Sequence, residues 1–293
     1  MEKTVEFTKM HSSGNDFVVV REEDSRRSWA KLAKSMCGRR FGVGADGVLL
    51  VQPSSKADFK VRVINSDGSE AEVCGNGLIC MGRYAIDEGI VEASRSDVTV
   101  ETRAGVKKIE LIKQGGKVKQ VQVNIGRPRF RPEEIPALIK AEEVDVKTKP
   151  VLDYPVFAGN RKLLLNLVSM GNPHAVCFTL KPVHDFPLYR LGPVVENHPL
   201  FPQRVNFEVV RLVNSKQVEA RVWERGAGET MACGSGACAI AVAARLHGFV
   251  GDQVDVALPG GTLSVEWDGE GDVKLTGHPE LVFTGAWIED GGK

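Results

Sequence analysis

An internal repeat constrains the fold of this chain more than any other feature. The segment FKVRVINSDGSEAEVCGNG at 59–77 aligns with VEARVWERGAGETMACGSG at 218–236, at an offset of 159 residues. Several residue types recur at equal spacing, and these pairs are Arg62 and Arg221, Glu70 and Glu229, Cys74 and Cys233, Gly75 and Gly234, and Gly77 and Gly236. Such agreement indicates a duplication. The chain is therefore predicted to contain two halves of one architecture.

The pattern inside each copy predicts its local structure. Apolar and polar residues alternate at 59–63 and at 218–222, which is typical of a half-buried β-strand. A glycine-bearing turn and Cys-Gly-x-Gly follow, and then a run of helix-compatible residues, LICMGRYAIDE or ACAIAVAARLH. The glycines at 89 and 248 are suited to end these helices. Each half thus reads as strand, turn, cysteine and helix.

Strands are predicted to dominate the remainder of the chain. Alternating segments such as VTVETRAG, KVKQVQVNIG and NFEVVRLVN favour strands, and helical patterns are few. The stretch 127–155 is rich in proline and charge and lacks strong periodicity, so it is predicted to be a linker region between the halves. The fold class is therefore α/β in the broad α+β sense, with an N-terminal half at 1–126 and a C-terminal half at 127–279.

Charge and composition exclude several classes of function. The chain has 38 Lys and Arg against 38 Asp and Glu, so it lacks the cationic field that nucleic acids or anionic membranes attract. No apolar run approaches the ~20 residues needed to span a bilayer, and the N-terminal MEKTVEFTKM lacks an apolar signal segment. We expect a soluble, cytoplasmic protein. The six cysteines show no Cys-x2-Cys spacing, which argues against a metal site.

Two of the six cysteines are candidate acid/base groups. Cys74 and Cys233 are each predicted to begin a helix, where free N–H groups and the helix dipole favour a thiolate. The glycines that follow allow backbone N–H groups to hold an anion such as a carboxylate. If the two halves face each other, two thiols flank one ligand and can invert a stereocentre. The other four cysteines are predicted to be small buried apolar residues, namely Cys37, Cys80, Cys177 and Cys238.

Six motifs together resemble the diaminopimelate epimerase family. They are KMHSSGNDF at 9–17, FGVGADG at 41–47, NSDGSEAEVCGNG at 65–77, GNPHAV at 171–176, LGPVVENHPLFPQRVNFEVV at 191–210 and ERGAGETMACGSGACA at 224–239. The resemblance implies interconversion of LL- and meso-2,6-diaminopimelate without a pyridoxal cofactor, in lysine and peptidoglycan precursor synthesis. It further implies a homodimer and two pseudo-symmetric domains, each a curled, mainly antiparallel sheet around a central helix. The final strand, 280–293, is expected to return to the first domain.

The resemblance also implies roles for individual residues. Cys74 and Cys233 are expected to be the two acid/base thiols, with His174 and Glu224 balancing protons near them. Backbone groups of four residues are expected to receive the substrate carboxylate, namely Gly75, Asn76, Gly234 and Ser235. Side chains expected to grip the remaining ammonium and carboxylate groups are Asn15, Asn65, Asn172, Asn206, Glu224 and Arg225. Asparagines in such segments also commonly stabilise turns, so each has a purely structural interpretation as well.

Three positions depart from the family pattern. Ser12 replaces a common glycine, Gly47 replaces a frequent substrate-contacting glutamine, and Ile79 replaces a frequent arginine. These departures leave the substrate open, so a related racemase or epimerase for another amino acid is an alternative. A dehydratase or isomerase on the same scaffold is a separate alternative. Two further alternatives are a redox sensor in which Cys74 and Cys233 form a disulfide, and an amino-acid binding module without catalysis.

Overall fold

The computed structural model describes residues 3–22, 26–139 and 150–289. In chain order the elements are β1 Lys3–Ser12, β2 Asn15–Arg21, α1 Trp29–Met36, β3 Gly47–Gln52, β4 Phe59–Asn65, β5 Glu70–Ala71, α2 Gly75–Asp87, β6 Asp97–Thr102, β7 Gly105–Gln114, β8 Lys117–Gly126, β9 Tyr154–Ala158, β10 Arg161–Ser169, β11 Pro173–Phe178, a 3-10 turn Val183–Asp185, α3 Leu188–Glu196, β12 Asn206–Asn214, β13 Gln217–Glu224, β14 Gly228–Thr230, α4 Gly234–Leu246, β15 Gln253–Leu258, β16 Gly261–Glu266, β17 Val273–Gly277 and β18 Pro279–Glu289.

The chain divides into two compact units. Unit 1 comprises 1–123 and 276–293, and unit 2 comprises 124–275. The last strand, β18, belongs to unit 1, where it pairs antiparallel with β1 from Lys3 opposite Glu289 to Ser12 opposite Pro279. The end of the predicted return strand, 290–293, lies outside the described residues.

The two units repeat one order of strand pairing. In unit 1, β1 and β2 are antiparallel, β2 and β3 are parallel, β3 and β4 are antiparallel, and β4 pairs antiparallel with β5 and parallel with β6. In unit 2, the same order runs through β10, β11, β12, β13, β14 and β15. Antiparallel pairs β6–β7 and β15–β16 follow. The mainly antiparallel α/β fold predicted for both halves is confirmed.

A central helix packs against the sheet in each unit. Helix α2 contacts β1, β6, β7 and β18, and helix α4 contacts β10, β11, β12, β15 and β16. Every residue of α4 from Gly236 to Ala244 is buried, which explains its run of alanine and small apolar residues. Both helices end as predicted, because Gly89 and Gly248 have positive φ angles of 63° and 72° just beyond the last helical turn.

The repeat also preserves an ion pair. Arg62 binds Glu70 through two hydrogen bonds of 3.0 Å, and Arg221 binds Glu229 through bonds of 2.7 and 2.9 Å. Each pair joins a long strand to the short strand beside it. The equal spacing of arginine and glutamate in the two repeats therefore corresponds to an ion pair between two neighbouring strands, the second of which leads to the cysteine.

The predicted linker is only partly a linker. Residues 140–149 lie outside the described residues, but Ile135, Ala137 and Val151 are buried in the core of unit 2. Arg129 forms an isolated bridge with Ser169 of β10. The prediction was wrong for these described parts, because proline-rich irregular backbone still buries its apolar side chains.

No helix among the described residues is long and apolar enough to cross a membrane.

Candidate functional site

Cys74 caps the N-terminus of α2, as predicted. Its extended backbone, with φ −135° and ψ 119°, places Sγ 3.5 Å from the backbone nitrogen of Gly77, which donates to it. The start of a helix leaves the first N–H groups without intrahelical acceptors. At this end of α2 those groups belong to Gly75 and Asn76. The thiol therefore lies beside backbone donors that are suited to an anion.

Asn15 lies next to the Cys74 thiol. Its Oδ1 accepts a 3.2 Å hydrogen bond from Nδ2 of Asn76 and lies 3.9 Å from Sγ of Cys74. Its own Nδ2 donates to Oδ2 of Asp46 at 2.7 Å. The orientation of the Asn15 amide is thus fixed from both ends, so its oxygen faces the thiol and the helix start.

A charged network behind Asn15 holds Asp46 in place. Arg39 binds both carboxylate oxygens of Asp16 at 2.7 Å and also binds Asp46 at 2.7 Å. Lys9 binds Asp16 at 2.6 Å. Burial acts to raise the pKa of Asp16, but the hydrogen bonds from Arg39 and Lys9 outweigh it and hold that pKa below its usual value. Sequence reasoning missed this network, because its members are distant in sequence.

Cys233 occupies the same place at the start of α4. Its Sγ accepts a 3.3 Å hydrogen bond from the backbone nitrogen of Gly236 and lies 3.5 Å from Oγ of Ser235. Ser235 Oγ in turn accepts a 3.2 Å bond from Nδ2 of Asn172, whose Oδ1 faces Nε2 of His174 at 2.9 Å. Three residues predicted for the site thus form one chain of hydrogen bonds to this thiol.

Burial governs the protonation of the Cys233 thiol. Burial raises its pKa well above the usual value, and the charge of Glu224 raises it further, against the opposing effect of its contact with Ser235. Burial likewise raises the pKa of Glu224, although hydrogen bonds with Thr230 and Cys233 act to lower it. The prediction that the helix start favours a thiolate was wrong for Cys233, because desolvation and a neighbouring carboxyl outweigh the helix dipole.

Glu208 belongs to the Cys233 site and was also missed by sequence reasoning. It lies on β12, is fully buried, and places Oε1 2.7 Å from Nδ1 of the equally buried His174. Its other oxygen, Oε2, has no hydrogen-bond partner among the described residues. Burial raises the pKa of Glu208, with His174 opposing that shift. A fully buried glutamate needs a specific reason to be there, because burying a charge is costly.

The remaining predicted contacts are more exposed or are held by backbone. Asn206 donates to the carbonyl of Pro173 at 2.8 Å and accepts from the backbone nitrogen of Arg225 at 2.9 Å. The exposed Arg225 guanidinium donates to the carbonyl of Gln203 at 3.1 Å. In unit 1, Asn65 donates to Oγ of Ser69 at 2.9 Å. Asn206 therefore shapes the backbone that leads from β13 towards Cys233.

The same offset relates further site residues of the two units. Asn65 corresponds to Glu224, Gly47 to Asn206, and Leu49 to Glu208. Strand register pairs Phe17 with Gly47 in unit 1 and His174 with Asn206 in unit 2, so Phe17 corresponds to His174. The buried His174–Glu208 pair thus stands where unit 1 has Phe17 and Leu49.

The three departures from the family pattern are all buried. A Cβ on Gly47 would lie 2.8 Å from the carbonyl oxygen of Ile64, so β4 would have to shift to admit a side chain there. Ile79 is fully buried in α2, and Ser12 is fully buried with no hydrogen-bond partner for its hydroxyl among the described residues.

The chain is similar in sequence to known proteins over the stretches that contain the six motifs. A sequence profile described as diaminopimelate epimerase matches residues 7–131 and 166–282. The chain is 44% identical over 288 residues to a diaminopimelate epimerase of Carboxydothermus hydrogenoformans, covering 97% of this chain and 100% of that one. It is 45% identical to one of Acetivibrio thermocellus, covering 95% and 97%.

Solved structures share the fold at low sequence identity. A hydroxyproline epimerase from Agrobacterium vitis superposes with a TM-score of 0.72 at 16% identity, covering 98% of this chain and 94% of that one. A probable proline racemase from Agrobacterium radiobacter gives a TM-score of 0.71 at 16% identity, covering 98% and 93%. Together with the full-length matches in sequence, these findings establish that the chain belongs to the diaminopimelate epimerase family.

Proposed function

We propose that this protein interconverts LL- and meso-2,6-diaminopimelate by proton transfer at the α carbon, in lysine and peptidoglycan precursor synthesis. Family membership supports the substrate, and the observation that carries the chemistry is the pair of N-cap thiols, Cys74 and Cys233. Inversion of a carbon requires that a proton leaves one face and another arrives on the opposite face. Two thiols supply these two groups without an added base.

The asymmetry of the two thiols supports their division of labour. Cys233 has two carboxyl groups and a histidine around it, and its raised pKa keeps the thiol protonated before substrate arrives. Cys74 is partly exposed, and its sulfur lies 3.9 Å from the amide oxygen of Asn15, which also accepts from Asn76. Cys233 therefore begins the cycle as the acid and Cys74 as the base in one direction, and the roles reverse in the other.

The helix starts are the proposed sites for the carboxylate of the reacting carbon. N–H groups of Gly75, Asn76, Gly234 and Ser235 point out of the two helices, where the helix dipole favours negative charge. Such donors also stabilise the charge that develops when the α proton is removed. We assign the ammonium and distal carboxylate groups to the polar side chains of Asn15, Asn65, Asn172, Asn206, Glu224 and Arg225.

A direct test is conversion of LL-diaminopimelate by the reduced protein, followed by chiral chromatography. The wild type should produce the meso form, and the Cys74→Ala and Cys233→Ala variants should not. Cys80→Ala and Cys238→Ala are matched controls, because these buried thiols lie inside α2 and α4 and should be dispensable. Faster conversion of another amino acid, or full activity of Cys233→Ala, would contradict the proposal.

A homodimer in the cytoplasm completes the proposal. Strand β18 exposes Leu281, Val282, Phe283 and Ile288, and exposed apolar side chains on a strand favour association with another chain. None of the six cysteines, all of which lie in the described part of the chain, forms a disulfide, which suits a reducing compartment. Sedimentation velocity should show a dimer for the wild type and a monomer for Phe283→Glu, and a monomeric wild type would contradict the dimer.

A further inference from the structure

Comparison of the two halves isolates one unexplained feature, the buried His174–Glu208 pair. Unit 1 fills the equivalent positions with Phe17 and Leu49, both buried. The repeated scaffold therefore folds with apolar residues at this place, and a buried ionisable pair is often no more stable than well-packed apolar residues. Fold stability therefore gives no reason for the His174–Glu208 pair in unit 2, and the group that the pair adjoins is the Cys233 thiol.

Glu208 lies against the same helix turn as the Cys233 thiol. A Cβ on Gly236 would be 3.1 Å from Oε1 of Glu208 and 3.3 Å from Sγ of Cys233. In unit 1 the matching contact, at Gly77, is made by a methyl group of Leu49. The carboxyl group thus replaces a methyl group at the start of the helix that carries the thiol.

The hydrogen bonds that lead from His174 to the Cys233 sulfur have a defined donor and acceptor at each step. Asn172 uses Nδ2 to donate to Ser235, so its Oδ1 accepts, and Nε2 of His174 must carry a proton to donate to it. Ser235 Oγ accepts from Asn172, which leaves its own hydrogen free to point at Sγ of Cys233. Every donor in this arrangement points towards the sulfur.

The hydrogen bonds of this chain could also run in the opposite direction, and the protonation state of Glu208 decides which direction is adopted. An ionised Glu208 beside a neutral imidazole would accept a hydrogen bond from Nδ1–H. The imidazole proton would then be on Nδ1, and Nε2 would become an acceptor. Asn172 would have to turn its amide, and Ser235 would give its hydrogen to Asn172 instead of the sulfur. A protonated Glu208 removes this conflict, because its O–H donates to Nδ1 and the imidazole proton remains on Nε2.

We propose that Glu208 acts as a neutral carboxylic acid that positions His174, holding the imidazole proton on Nε2 and so directing a hydrogen-bond chain through Asn172 and Ser235 onto the sulfur of Cys233. The complete burial of Glu208 favours its neutral form. The chain stabilises the Cys233 thiolate when that sulfur has given up its proton. Glu208 is thus a positioning residue for the epimerisation proposed above, and the inference rests on that function.

The pH dependence follows from the groups that face Glu208. These are His174 on β11, Glu224 at the end of β13, and Cys233 before α4. As pH rises, Glu208 ionises and reverses the chain, so kcat should fall on the alkaline side. In Glu208→Gln the amide N–H donates to Nδ1 and cannot ionise. This variant should keep kcat within about threefold of the wild type at neutral pH and should extend the active range to higher pH.

Removal of the donor gives the contrasting variants. Glu208→Leu should lower kcat by about 100-fold, which is within the usual contribution of a positioned acid/base group. The double variant His174→Phe with Glu208→Leu installs the residues of unit 1, and it should fold and unfold in urea like the wild type while also losing activity. Equal losses in Glu208→Gln and Glu208→Leu, or full activity of Glu208→Leu, would overturn the proposal.

Two readouts separate this inference from the proposed reaction. In protein labelled with 15N-histidine, the signals absent from His174→Phe should show a proton on Nε2 and none on Nδ1 at neutral pH. A proton on Nδ1, alone or together with Nε2, would overturn the proposal. In the Cys74→Ser background, alkylation of Cys233 followed by peptide mass spectrometry should require higher pH in Glu208→Leu than in Glu208→Gln. Neither readout depends on the substrate, and an unchanged alkylation profile would also overturn the proposal.

Discussion

A methyl group added at Gly236 should disturb the Cys233 site, whereas the same change at Gly77 should be tolerated. The new Cβ at position 236 would lie 3.1 Å from Oε1 of Glu208, 3.2 Å from Cβ of Cys233 and 3.3 Å from its Sγ. Ordinary contacts of this kind are longer by a few tenths of an ångström. Neither neighbour yields freely, since Glu208 is bonded to His174 and Sγ is bonded to the Gly236 nitrogen.

The matched position in unit 1 has softer neighbours. A Cβ at Gly77 would meet Cδ2 of Leu49 at 3.1 Å and Cβ of Cys74 at 3.4 Å. The end of a leucine side chain can rotate slightly, so the strain is small. Alanine in place of glycine gains about 1 kcal/mol inside a helix, and overpacking a rigid site costs about 1–3 kcal/mol.

The two substitutions should therefore differ in sign. Gly77→Ala should leave the free energy of unfolding unchanged or raise it by up to about 1 kcal/mol, whereas Gly236→Ala should lower it by up to about 2 kcal/mol. The displaced sulfur should also reduce kcat/KM by about tenfold, which corresponds to ~1.4 kcal/mol of transition-state free energy. Urea unfolding and initial rates of epimerisation measure both. Equal stability and equal kcat/KM of the two variants would refute the reasoning.

Three further outcomes follow from the structure. Asp46→Ala should release the amide of Asn15 and lower kcat/KM by about tenfold in a rate assay, with a loss of stability near 1 kcal/mol; unchanged rates would contradict the role of the network. Burial raises the pKa of Cys37 to about 11, so between pH 9 and 11 the folded chain keeps a thiol proton that the unfolded chain loses. The free energy of unfolding should therefore fall by up to about 3 kcal/mol over this range. Urea unfolding at a series of pH values should show a smaller fall for Cys37→Ala. Arg221→Ala should destabilise unit 2 by about 1–2 kcal/mol more than Arg62→Ala destabilises unit 1, because Arg221 also donates to two backbone carbonyls; equal losses in urea unfolding would show that those extra bonds contribute nothing.

The repeat made much of the fold predictable. Equal spacing of Arg62, Glu70 and Cys74 with their counterparts carried information on a strand, a cross-strand ion pair, a helix start and a terminating glycine. These features are local, because each depends on residues within one turn or one strand pair. The sequence therefore indicated two N-cap thiols correctly from residue order alone.

Longer-range features required the structure. Glu208 lies in an alternating strand segment, and alternation does not show which face of a strand is buried or what lies beyond it. Its role became visible from strand register and from the contrast with Leu49. The one signal for Glu208 in the sequence is the repeat offset. When this offset is applied outside the best-matching segment, it pairs the charged Glu208 with the apolar Leu49.

The protonation of Cys233 could not be predicted from its position at a helix start. A helix dipole acts locally and lowers a thiol pKa, but desolvation depends on how completely other elements cover the sulfur. Glu224 approaches from β13, and β11 and β12 bring His174 and Glu208. Only the folded unit sets the balance between these opposing effects.

The most direct test of two-thiol catalysis is hydrogen exchange at the α carbon in deuterium oxide, followed by NMR. Reduced wild-type protein with LL-diaminopimelate should lose the α-proton signal as the meso form appears, because the proton returned by the second thiol comes from solvent. Cys74→Ala and Cys233→Ala should each show neither inversion nor full exchange, while Cys238→Ala behaves as the wild type. Inversion with deuterium incorporation in either of the first two variants would contradict the account.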